Sequence, residues 1–316
     1  MRRLGGSDPP VVAAGVNLAI EAVTGEVVGA LAEADVSCIV LKGPTLTHWL
    51  YAHDARHSTD VDLLVAPSDF GPAEACLAKL GYTLRSLEGI PHDRPWSAHG
   101  WHGPHGIAVD LHRALVGVEA PADDAWRVLC AETETARAGD TRVVVLGPAA
   151  QCFHLALHAA QHGIRYEKAL ADLERAVETK PQALWRQAAE LALRLAAVAA
   201  FASGLRLVPA AAGILDRLAL PEAESVEATL LASSPPQTAG GFAWLARVPG
   251  RRAKTAFLLR KLFPPAEWLR TWSRLARRGR LGLAAAYVWR PVWLLWHAGP
   301  GFLSWRRARR RARNAA

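Results

Sequence analysis

The alternation of apolar and polar positions in the first half of the chain predicts short buried strands separated by helices. Residues 11–34 carry apolar side chains at helical spacing, which predicts one or two packing helices. A further helix is expected from Pro67 to Leu80, ending at Gly81. Strands are predicted over five short apolar runs: Cys38–Leu41, Asp60–Val65, Tyr82–Leu87, Ile107–His112 and Thr141–Leu146. The order of these elements indicates an α/β (α+β) fold built on a small mixed sheet.

The second half of the chain is predicted to be helical. Strand-like runs end at Gly147, and Ala- and Leu-rich helices follow until a Ser-, Pro- and Gly-rich stretch that resembles a linker. We therefore predict four units in chain order: an α/β domain that carries the site over 1–147, a helical domain that lines the substrate cleft over 148–232, a linker over 233–245, and a basic, Trp-rich helical extension over 246–316.

Composition and charge change this picture in two ways. From Arg247 to the end, 18 Lys and Arg residues accompany a single acid, Glu267, whereas the preceding part is acidic overall. No signal peptide is expected, and the Ala- and Arg-rich composition favours a GC-rich bacterial source.

Four cysteines are scattered without CxxC spacing: Cys38, Cys76, Cys130 and Cys152. Because this spacing fits neither disulfides nor zinc, we expect thiols in a reducing, cytoplasmic compartment.

Two carboxylates share one face of the predicted strand Asp60–Val65. Because side chains alternate along a strand, Asp60 and Asp62 point the same way. Like charges side by side are unfavourable unless a cation lies between them, and Mg²⁺ prefers carboxylate oxygens. A third carboxylate, Asp110, lies in another strand and shares its face with His112. The pattern predicts a divalent-metal site, with His112 placed to orient an acceptor or to assist proton transfer.

A glycine between a strand and a helix predicts a phosphate contact. The strand Cys38–Leu41 runs into Lys42, Gly43 and Pro44, and an amphipathic helix follows. Gly43 permits close approach to the backbone, the helix N-terminus offers free N–H groups, and Lys42 adds a positive charge. The sequence therefore predicts a phosphate end and a metal end in one site, with Arg56 as a further candidate for phosphate binding.

Each of these residues also has a purely structural interpretation. Asp-x-Asp is frequent by chance and often marks a turn or a solvated strand face. Lys42 and Arg56 can be neutralising partners of nearby acids, and His112 can be a structural histidine. The upstream strand, glycine and helix, taken together with Asp110, favour the metal interpretation.

The combined motifs resemble the polymerase-β-type nucleotidyltransferase superfamily. Within it, they look closely like a bacterial group of "nucleotidyltransferase family proteins" that occurs near peptide natural-product and exopolysaccharide gene clusters. The resemblance is best over residues 36–115, and it names no acceptor. The matching residues are Leu41-Lys42-Gly43, Leu50-Tyr51, Arg56, Asp60-Val61-Asp62-Leu63-Leu64-Val65 and Leu80-Gly81-Tyr82. This resemblance implies a mixed sheet of nucleotidyltransferase type followed by a helical domain.

The resemblance also implies a role for each matching residue. Asp60 and Asp62 would hold the metals, Mg²⁺ or Mn²⁺, that bridge the phosphates of a nucleoside triphosphate such as ATP. Asp110 would complete one metal site and help to deprotonate the attacking hydroxyl. Lys42 and Gly43 would hold the β- and γ-phosphates. The chain departs from the superfamily at Pro44, where serine or glycine is frequent, which removes a hydroxyl and a backbone donor.

Histidines recur in two further segments. Glu88–Gly106 contains four histidines and two tryptophans without the spacing of a zinc site, which predicts a mobile loop whose rings stack on a base or acceptor. His154, His158 and His162 fall at i, i+4 and i+8 of one helix, with no carboxylate at the matching turn. They are expected to face the groove between two domains, and the segment Lys168–Leu173 is expected to contribute to the cleft wall.

The basic C-terminal segment alternates arginine with tryptophan. Arg290-Pro291 and Gly299-Pro300-Gly301 interrupt the apolar run Leu281–Trp305, so a continuous spanning helix is not expected. Three interpretations stay open. The segment can be a helical cap with a solvated basic end, an interfacial helix over 281–316 on anionic lipid, or a nucleic-acid-binding tail through Arg306–Arg313.

We therefore predict a Mg²⁺-dependent nucleotidyltransferase that transfers a nucleoside monophosphate from an NTP to a hydroxyl of a small molecule, peptide or saccharide. Asp60, Asp62 and Asp110 are the predicted catalytic metal ligands. The predicted nucleotide-binding residues are Lys42, Gly43, Arg56 and His112. Natural-product or exopolysaccharide biosynthesis is the expected setting, in the cytoplasm or at the inner face of the membrane. The alternative is a catalytically silent protein that binds nucleotide or serves as a membrane-associated scaffold.

Overall fold

A mixed sheet lies at the centre of the computed structural model, which describes residues 9–51, 60–84, 98–220, 226, 229–230, 236–248 and 250–314. Within these residues the sheet has seven strands: β1 (Cys38–Val40), β2 (Asp60–Val65), β3 (Thr83–Leu84), β4 (Ala98–His102), β5 (Ala108–His112), β6 (Thr133–Ala138) and β7 (Thr141–Leu146). Their order across the sheet is β3-β4-β5-β2-β1-β7-β6. All five predicted strands are present, although residues 85–87 of the one expected over Tyr82–Leu87 lie outside the described residues. The mixed α/β class is confirmed.

Two parallel pairings inside this sheet position the site. Strands β1 and β2 are antiparallel neighbours at its middle, where β1 also pairs in parallel with β7 and β2 in parallel with β5. The outer pairs β3–β4, β4–β5 and β6–β7 are antiparallel. Val61 and Leu64 lie on opposite faces of β2, and both are buried. The central strands are therefore covered on both faces, which explains their continuous apolar runs.

Helices α1 (Pro9–Glu33) and α3 (Phe70–Lys79) cover one face of the sheet. Ile20, Val27 and Leu31 of α1 are fully buried and belong to the same apolar cluster as strands β2 and β5. By length and composition alone, Gly15–Glu33 could cross a membrane, and the bent pair Val198–Leu205 with Pro209–Leu218 passes the same test. Packing on the sheet accounts for the buried side chains of α1, whereas Val16 and Leu18 of the same helix are exposed.

A helical layer covers the other face of the sheet. Its members are α2 (Pro44–Tyr51), α4 (Ala122–Cys130), α5 (Pro148–His162), α6 (Glu167–Thr179), α7 (Gln182–Arg194), α8 (Val198–Leu205) and α9 (Ala212–Leu218). Helix α5 is buried all round from Ala149 to Ala160, as expected of a central helix. Gly204 of α8 approaches it so closely that a Cβ there would lie 1.9 Å from the Ala156 carbonyl oxygen. One apolar core is therefore shared between the sheet and the helical layer.

The described part of the chain from residue 236 onwards contains the helices α10 (Gln237–Arg247), α11 (Arg251–Leu262), α12 (Ala266–Trp272) and α13 (Gly279–Asn314), which form the C-terminal region. The long helix α13 packs against the three others. Two small apolar clusters hold it, one with Ala308 against Leu230 and Ala239, and one with Ala286 against Leu269 and Ala276. This region is therefore organised around one face of α13.

The structure differs from the sequence prediction in the first half of the chain. Glu88–Gly106 is not a continuous loop, because Ala98–His102 forms strand β4, which pairs with both β3 and β5. Strand β6 was not predicted, because its sequence is polar. It lies at the edge of the described sheet, next to β7. Pairing with a neighbour, rather than local hydrophobicity, makes both segments strands.

The structure also differs in the second half. Gln237–Arg247 is the helix α10, although most of this segment had the composition of a linker. Helix α13 continues through Pro291 and Pro300, where the prolines were expected to interrupt it. A proline inside a helix costs about 3 kcal/mol, and the packing of α13 on its neighbours compensates for this cost.

Candidate active site

Strand register gathers three carboxylates at one end of the sheet. In the parallel pair β2–β5, Asp62 lies directly beside Asp110, and Asp60 lies beside Ala108. Because alternate residues of a strand share a face, Asp60 and Asp62 point to the side on which Asp110 lies. All three side chains line one cavity between the sheet and α5. The three acids predicted as a set are therefore brought together by the fold.

Asp62 is the most deeply buried of the three, with 3% of its surface exposed. Its Oδ2 lies 3.1 Å from the Lys42 ammonium, and its Oδ1 accepts a hydrogen bond of 3.1 Å from His112 Nε2. Burial alone would raise the pKa of Asp62, but Lys42 and the hydrogen bond from His112 hold it well below its usual range. Asp62 is thus a buried carboxylate that stays ionised because both of its oxygens have partners.

Asp110 has the opposite electrostatic character. Its burial, followed by the negative charge of Asp62 and a smaller effect of Asp60, raises its pKa, and His112 and Lys42 offset only part of this rise. Repulsion from the neighbouring carboxylates makes the site favourable for a cation. Asp110 is therefore easier to protonate than Asp62, whose pKa is lowered.

The turn after β1 places Lys42 and Gly43 at the same cavity. Gly43 adopts a backbone φ of +101°, which L side chains rarely adopt, so glycine is required for the chain to turn into α2. The turn is fastened by the Thr47 hydroxyl, which donates to the Gly43 carbonyl at 3.2 Å. Helix α2 begins at Pro44, as its position before the amphipathic run predicted. Lys42 is thereby directed inward, towards Asp62, and not into open solvent.

The three histidines of α5 form the opposite wall of the cavity. His154 and His158 are buried, and the rings of His158 and His162 lie 4.5 Å apart in an edge contact. Lys42 Nζ lies 3.0 Å from His158 Nε2. Since an ammonium only donates, His158 accepts at Nε2 and carries its proton on Nδ1, which has no partner among the described residues. A continuous chain of contacts thus runs from Asp62 through Lys42 to α5.

These histidines are neutral at neutral pH. Burial, followed by the nearby positive charge of Lys42, lowers the pKa of His154 to about 3. The same two causes lower the pKa of His158 well below its usual range, and they lower that of His162. The wall formed by α5 therefore presents neutral rings, while Lys42 contributes the positive charge beside the carboxylates.

A second set of contacts holds α2 against the helical layer. The Tyr51 hydroxyl donates to the buried Asp172 carboxylate at 2.6 Å, and the Arg175 guanidinium lies 4.7 Å from the centre of the Tyr51 ring. Arg175 and Lys180 also donate to backbone carbonyls at the end of α2. Asp172, from the segment predicted to line the cleft, therefore anchors the C-terminal end of α2 to the helical layer.

Other residues singled out in the sequence lie elsewhere. Arg56 and the loop residues His92 and Trp96 lie outside the described residues. His99 of β4 contacts Glu74 and the edge of Phe70, so it does not belong to the carboxylate cavity. The contact between Lys42 and His158 could not be read from the sequence, although a run of histidines on an apolar helix was a signal that α5 faces a polar cavity.

The types of donor atom in the cavity suit a divalent cation, but the described side chains are not arranged as a ready-made metal site. Two in-register carboxylates with a third beside them supply the hard oxygen ligands that Mg²⁺ and Mn²⁺ prefer, and their mutual repulsion disfavours an empty site. Among the described residues, no three His, Cys, Asp or Glu side chains converge in a metal-binding arrangement. Lys42 occupies the position of a counter-ion to Asp62, so a cation at this carboxylate would have to share it with Lys42.

The mixed sheet, its helical layers and the carboxylate cavity define the class of nucleotidyltransferase-like α/β proteins. The particular family follows from the sequence: the family model described as "uncharacterised nucleotidyltransferase" matches residues 11–213, and the chain belongs to this family. The match spans the sheet, the carboxylates and the helical layer as far as α9. The general reaction of the protein is therefore nucleotidyl transfer.

Two further comparisons add nothing to this assignment. The solution structure of the antibiotic-resistance factor ANT(2'')-Ia is similar to 58% of this chain and 95% of that chain, with 15% sequence identity and a TM-score of 0.39. These values are too low to transfer any property of that protein to this chain. No curated protein matches the sequence.

Proposed function

We propose that the protein transfers a nucleoside monophosphate from an NTP, with Mg²⁺, to a hydroxyl group of a separate acceptor. The observation that carries this proposal is the register of β2 and β5, which sets Asp62 beside Asp110 on the wall of one cavity together with Asp60. Membership of a nucleotidyltransferase family supports the same chemistry. The metal, the nucleotide and the roles of individual residues are parts of the proposal.

Asp60, Asp62 and Asp110 would hold the cation, which in this chemistry neutralises the phosphates and stabilises the attacking and leaving oxygens. Asp110 would also help to take the proton of the acceptor hydroxyl, because it lies directly beside Asp62 on the wall of the same cavity. The acceptor oxygen then bonds to the α-phosphorus and pyrophosphate leaves. Gly43 lets the phosphates approach the backbone, and Lys42 supplies a positive charge beside Asp62.

We assign the catalytic groups to 1–147 and the acceptor wall to 148–232. Neutral histidine rings on α5, together with Tyr166 and Lys168, line the cavity across from the carboxylates. Neutral imidazoles both donate and accept hydrogen bonds, which suits an acceptor rich in hydroxyl or amide groups. A small molecule, a peptide or a saccharide from a natural-product or exopolysaccharide pathway meets this requirement.

A second candidate function is nucleotide binding without turnover. It is favoured by one observation: both oxygens of Asp62 are engaged, one by Lys42 and one by His112. If these contacts persist when nucleotide binds, Asp62 has fewer lone pairs left for a metal, which disfavours the geometry needed for turnover. The protein would then act as a nucleotide sensor or scaffold.

Calorimetric titration of each NTP with Mg²⁺, followed by an assay for pyrophosphate, distinguishes the two. Asp60→Asn is the test variant, and Asp216→Asn, which changes an exposed acid on α9, is its matched control. Transfer predicts metal-dependent binding and pyrophosphate release with candidate acceptors, both lost in Asp60→Asn and retained in Asp216→Asn. Tight binding with no pyrophosphate under any condition would favour the second function, and no binding of any NTP would refute both.

A further inference from the structure

One face of α13 is apolar and exposed over most of its length. Six large apolar side chains of this helix are each more than half exposed. Leu281, at 87%, and Trp296, at 82%, are the most exposed. At about 100° per residue, all six fall within about 120° of the helix circumference. They define the outer face of α13: Leu281, Val288, Trp289, Leu295, Trp296 and Leu303.

The opposite face of α13 holds the helix in a fixed orientation. The Arg290 guanidinium is buried there between three tryptophan rings, 4.6 Å from Trp268, 4.5 Å from Trp272 and 5.0 Å from Trp293. Further along, a Cβ at Gly301 would lie 2.0 Å from the Thr238 hydroxyl, so α10 and α13 are in close contact. A rotation of α13 therefore cannot bury the outer face, because the opposite face is already packed against α10 and α12.

The charge on α13 is of one sign. The helix contains eight arginines and no acidic residue. By helical spacing, Arg306, Arg310 and Arg313 continue the outer face beyond Leu303 and are exposed. Exposed apolar and basic side chains thus lie on one side of one helix.

We propose that the outer face of α13 binds the surface of an anionic lipid bilayer, with the helix axis parallel to the membrane plane. Its apolar side chains would enter the headgroup and upper acyl region, and the arginines would pair with lipid phosphates. Trp289 and Trp296 suit this depth, because tryptophan favours the membrane–water interface. This proposal goes beyond nucleotidyl transfer and does not depend on it.

Charge and chemistry favour lipid over the other occupants. A second copy packed in parallel on this face would bring Arg306, Arg310 and Arg313 against the same three residues, and these like charges repel. Nucleic acid would engage the arginines but leaves the exposed Leu and Val side chains without a partner. Of these three occupants, an anionic lipid surface is the one that satisfies both the apolar and the basic groups.

The contribution of the apolar side chains to lipid binding is tested by sedimentation of the full chain with phosphatidylcholine vesicles, with and without phosphatidylglycerol. We expect binding to the anionic vesicles, reduced at least about tenfold by Leu295→Ser/Trp296→Ser, because each side chain loses its transfer from water to lipid. The control is Leu18→Ser/Leu193→Ser, which removes two apolar side chains from α1 and α7 that are each more than half exposed. Equal weakening by both pairs, or no binding of wild type to either vesicle, overturns the proposal.

The charged part is tested with Arg306→Gln/Arg310→Gln, compared with the exposed pair Arg186→Gln/Arg206→Gln on the helical layer. Each arginine near an anionic surface contributes about fivefold in binding, so the first pair should bind anionic vesicles roughly twentyfold more weakly and the control pair should bind like wild type. Light scattering of the free protein completes the test. A stable dimer that Leu295→Ser/Trp296→Ser dissociates, or a higher affinity for an RNA or DNA oligonucleotide than for vesicles, would replace lipid by those partners.

Discussion

The carboxylate cavity and the C-terminal helix α13 both hold charged side chains, but they stabilise them in different ways. In the cavity, Asp62 is compensated by opposite charge and hydrogen bonds, with Lys42 and His112 each at 3.1 Å. In the C-terminal region, Arg290 is buried against the faces of three tryptophans, and most other arginines of α13 are exposed to water. Paired charges fix the geometry of a site, whereas unpaired surface arginines act together on a distant partner.

The largest expected effect concerns activity. Asp60→Asn removes one carboxylate from the cavity and should lower the rate of nucleotidyl transfer by about 10²–10³-fold, as the loss of a single stabilising group does in other enzymes. Because Asp60 lies at the start of β2 and is only half-buried, the melting temperature should change by a few degrees at most. Steady-state pyrophosphate release and thermal unfolding of both proteins measure these two effects. A variant with full activity would contradict the role of Asp60.

The next effect concerns the buried pair. Lys42→Met leaves the buried Asp62 carboxylate without its ammonium partner, which should lower the free energy of unfolding by about 3 kcal/mol. The exposed pair of Arg194 with Glu132 serves as the comparison, and Arg194→Met should cost less than about 1 kcal/mol. Urea unfolding at neutral pH measures both. Equal costs would show that the cavity does not stabilise its charges as we describe.

A third effect is the dependence of stability on pH. Because burial lowers the pKa of His154 to about 3, the unfolded chain binds a proton below about pH 6.5 while the folded chain does not. Burial of the neutral His154 ring therefore does not lower the free energy of unfolding above that pH. As pH falls below it, the free energy of unfolding decreases, because protons bind to the unfolded chain.

Replacing His154 by glutamine, which does not titrate, isolates the contribution of this histidine to the pH dependence of stability. Between pH 6.5 and 5, wild type should lose about 2 kcal/mol of stability through His154, and His154→Gln should lose that much less over the same interval. Urea titrations at the two pH values measure the difference. Parallel stability curves for the two proteins would mean that His154 is accessible to protons in the folded state.

The smallest effect concerns the aromatic environment of Arg290. Arg290→Gln removes its contacts with Trp268, Trp272 and Trp293 and should destabilise the C-terminal region by about 1–2 kcal/mol. Arg309, which contacts only the Trp305 ring among the described aromatic residues, offers the comparison, and Arg309→Gln should cost less than about 1 kcal/mol. Limited proteolysis and near-ultraviolet circular dichroism report on this region. An equal effect of both substitutions would show that the three ring contacts of Arg290 stabilise the region no more than the single ring contact of Arg309.

Most of the sheet could be predicted from the sequence, because β1, β2, β5 and β7 are apolar runs with clear boundaries. Strands β4 and β6 could not be predicted in this way. Their sequences, AHGWH and TETARA, are polar or mixed, and each became a strand by pairing with a neighbour. The pattern of prolines was similarly misleading in α13, where tertiary packing outweighed the local preference for a break.

By itself, the sequence singled out the residues to which we assign the chemistry. The spacing of Asp60 and Asp62 on one strand, the glycine after β1 and the isolated basic tail are local properties, and local patterns reveal them. Only the tertiary structure decided which groups meet. Asp110 lies beside Asp62, Lys42 contacts both Asp62 and His158, and the outer face of α13 is exposed because strand register and helix packing join residues that are distant in the chain.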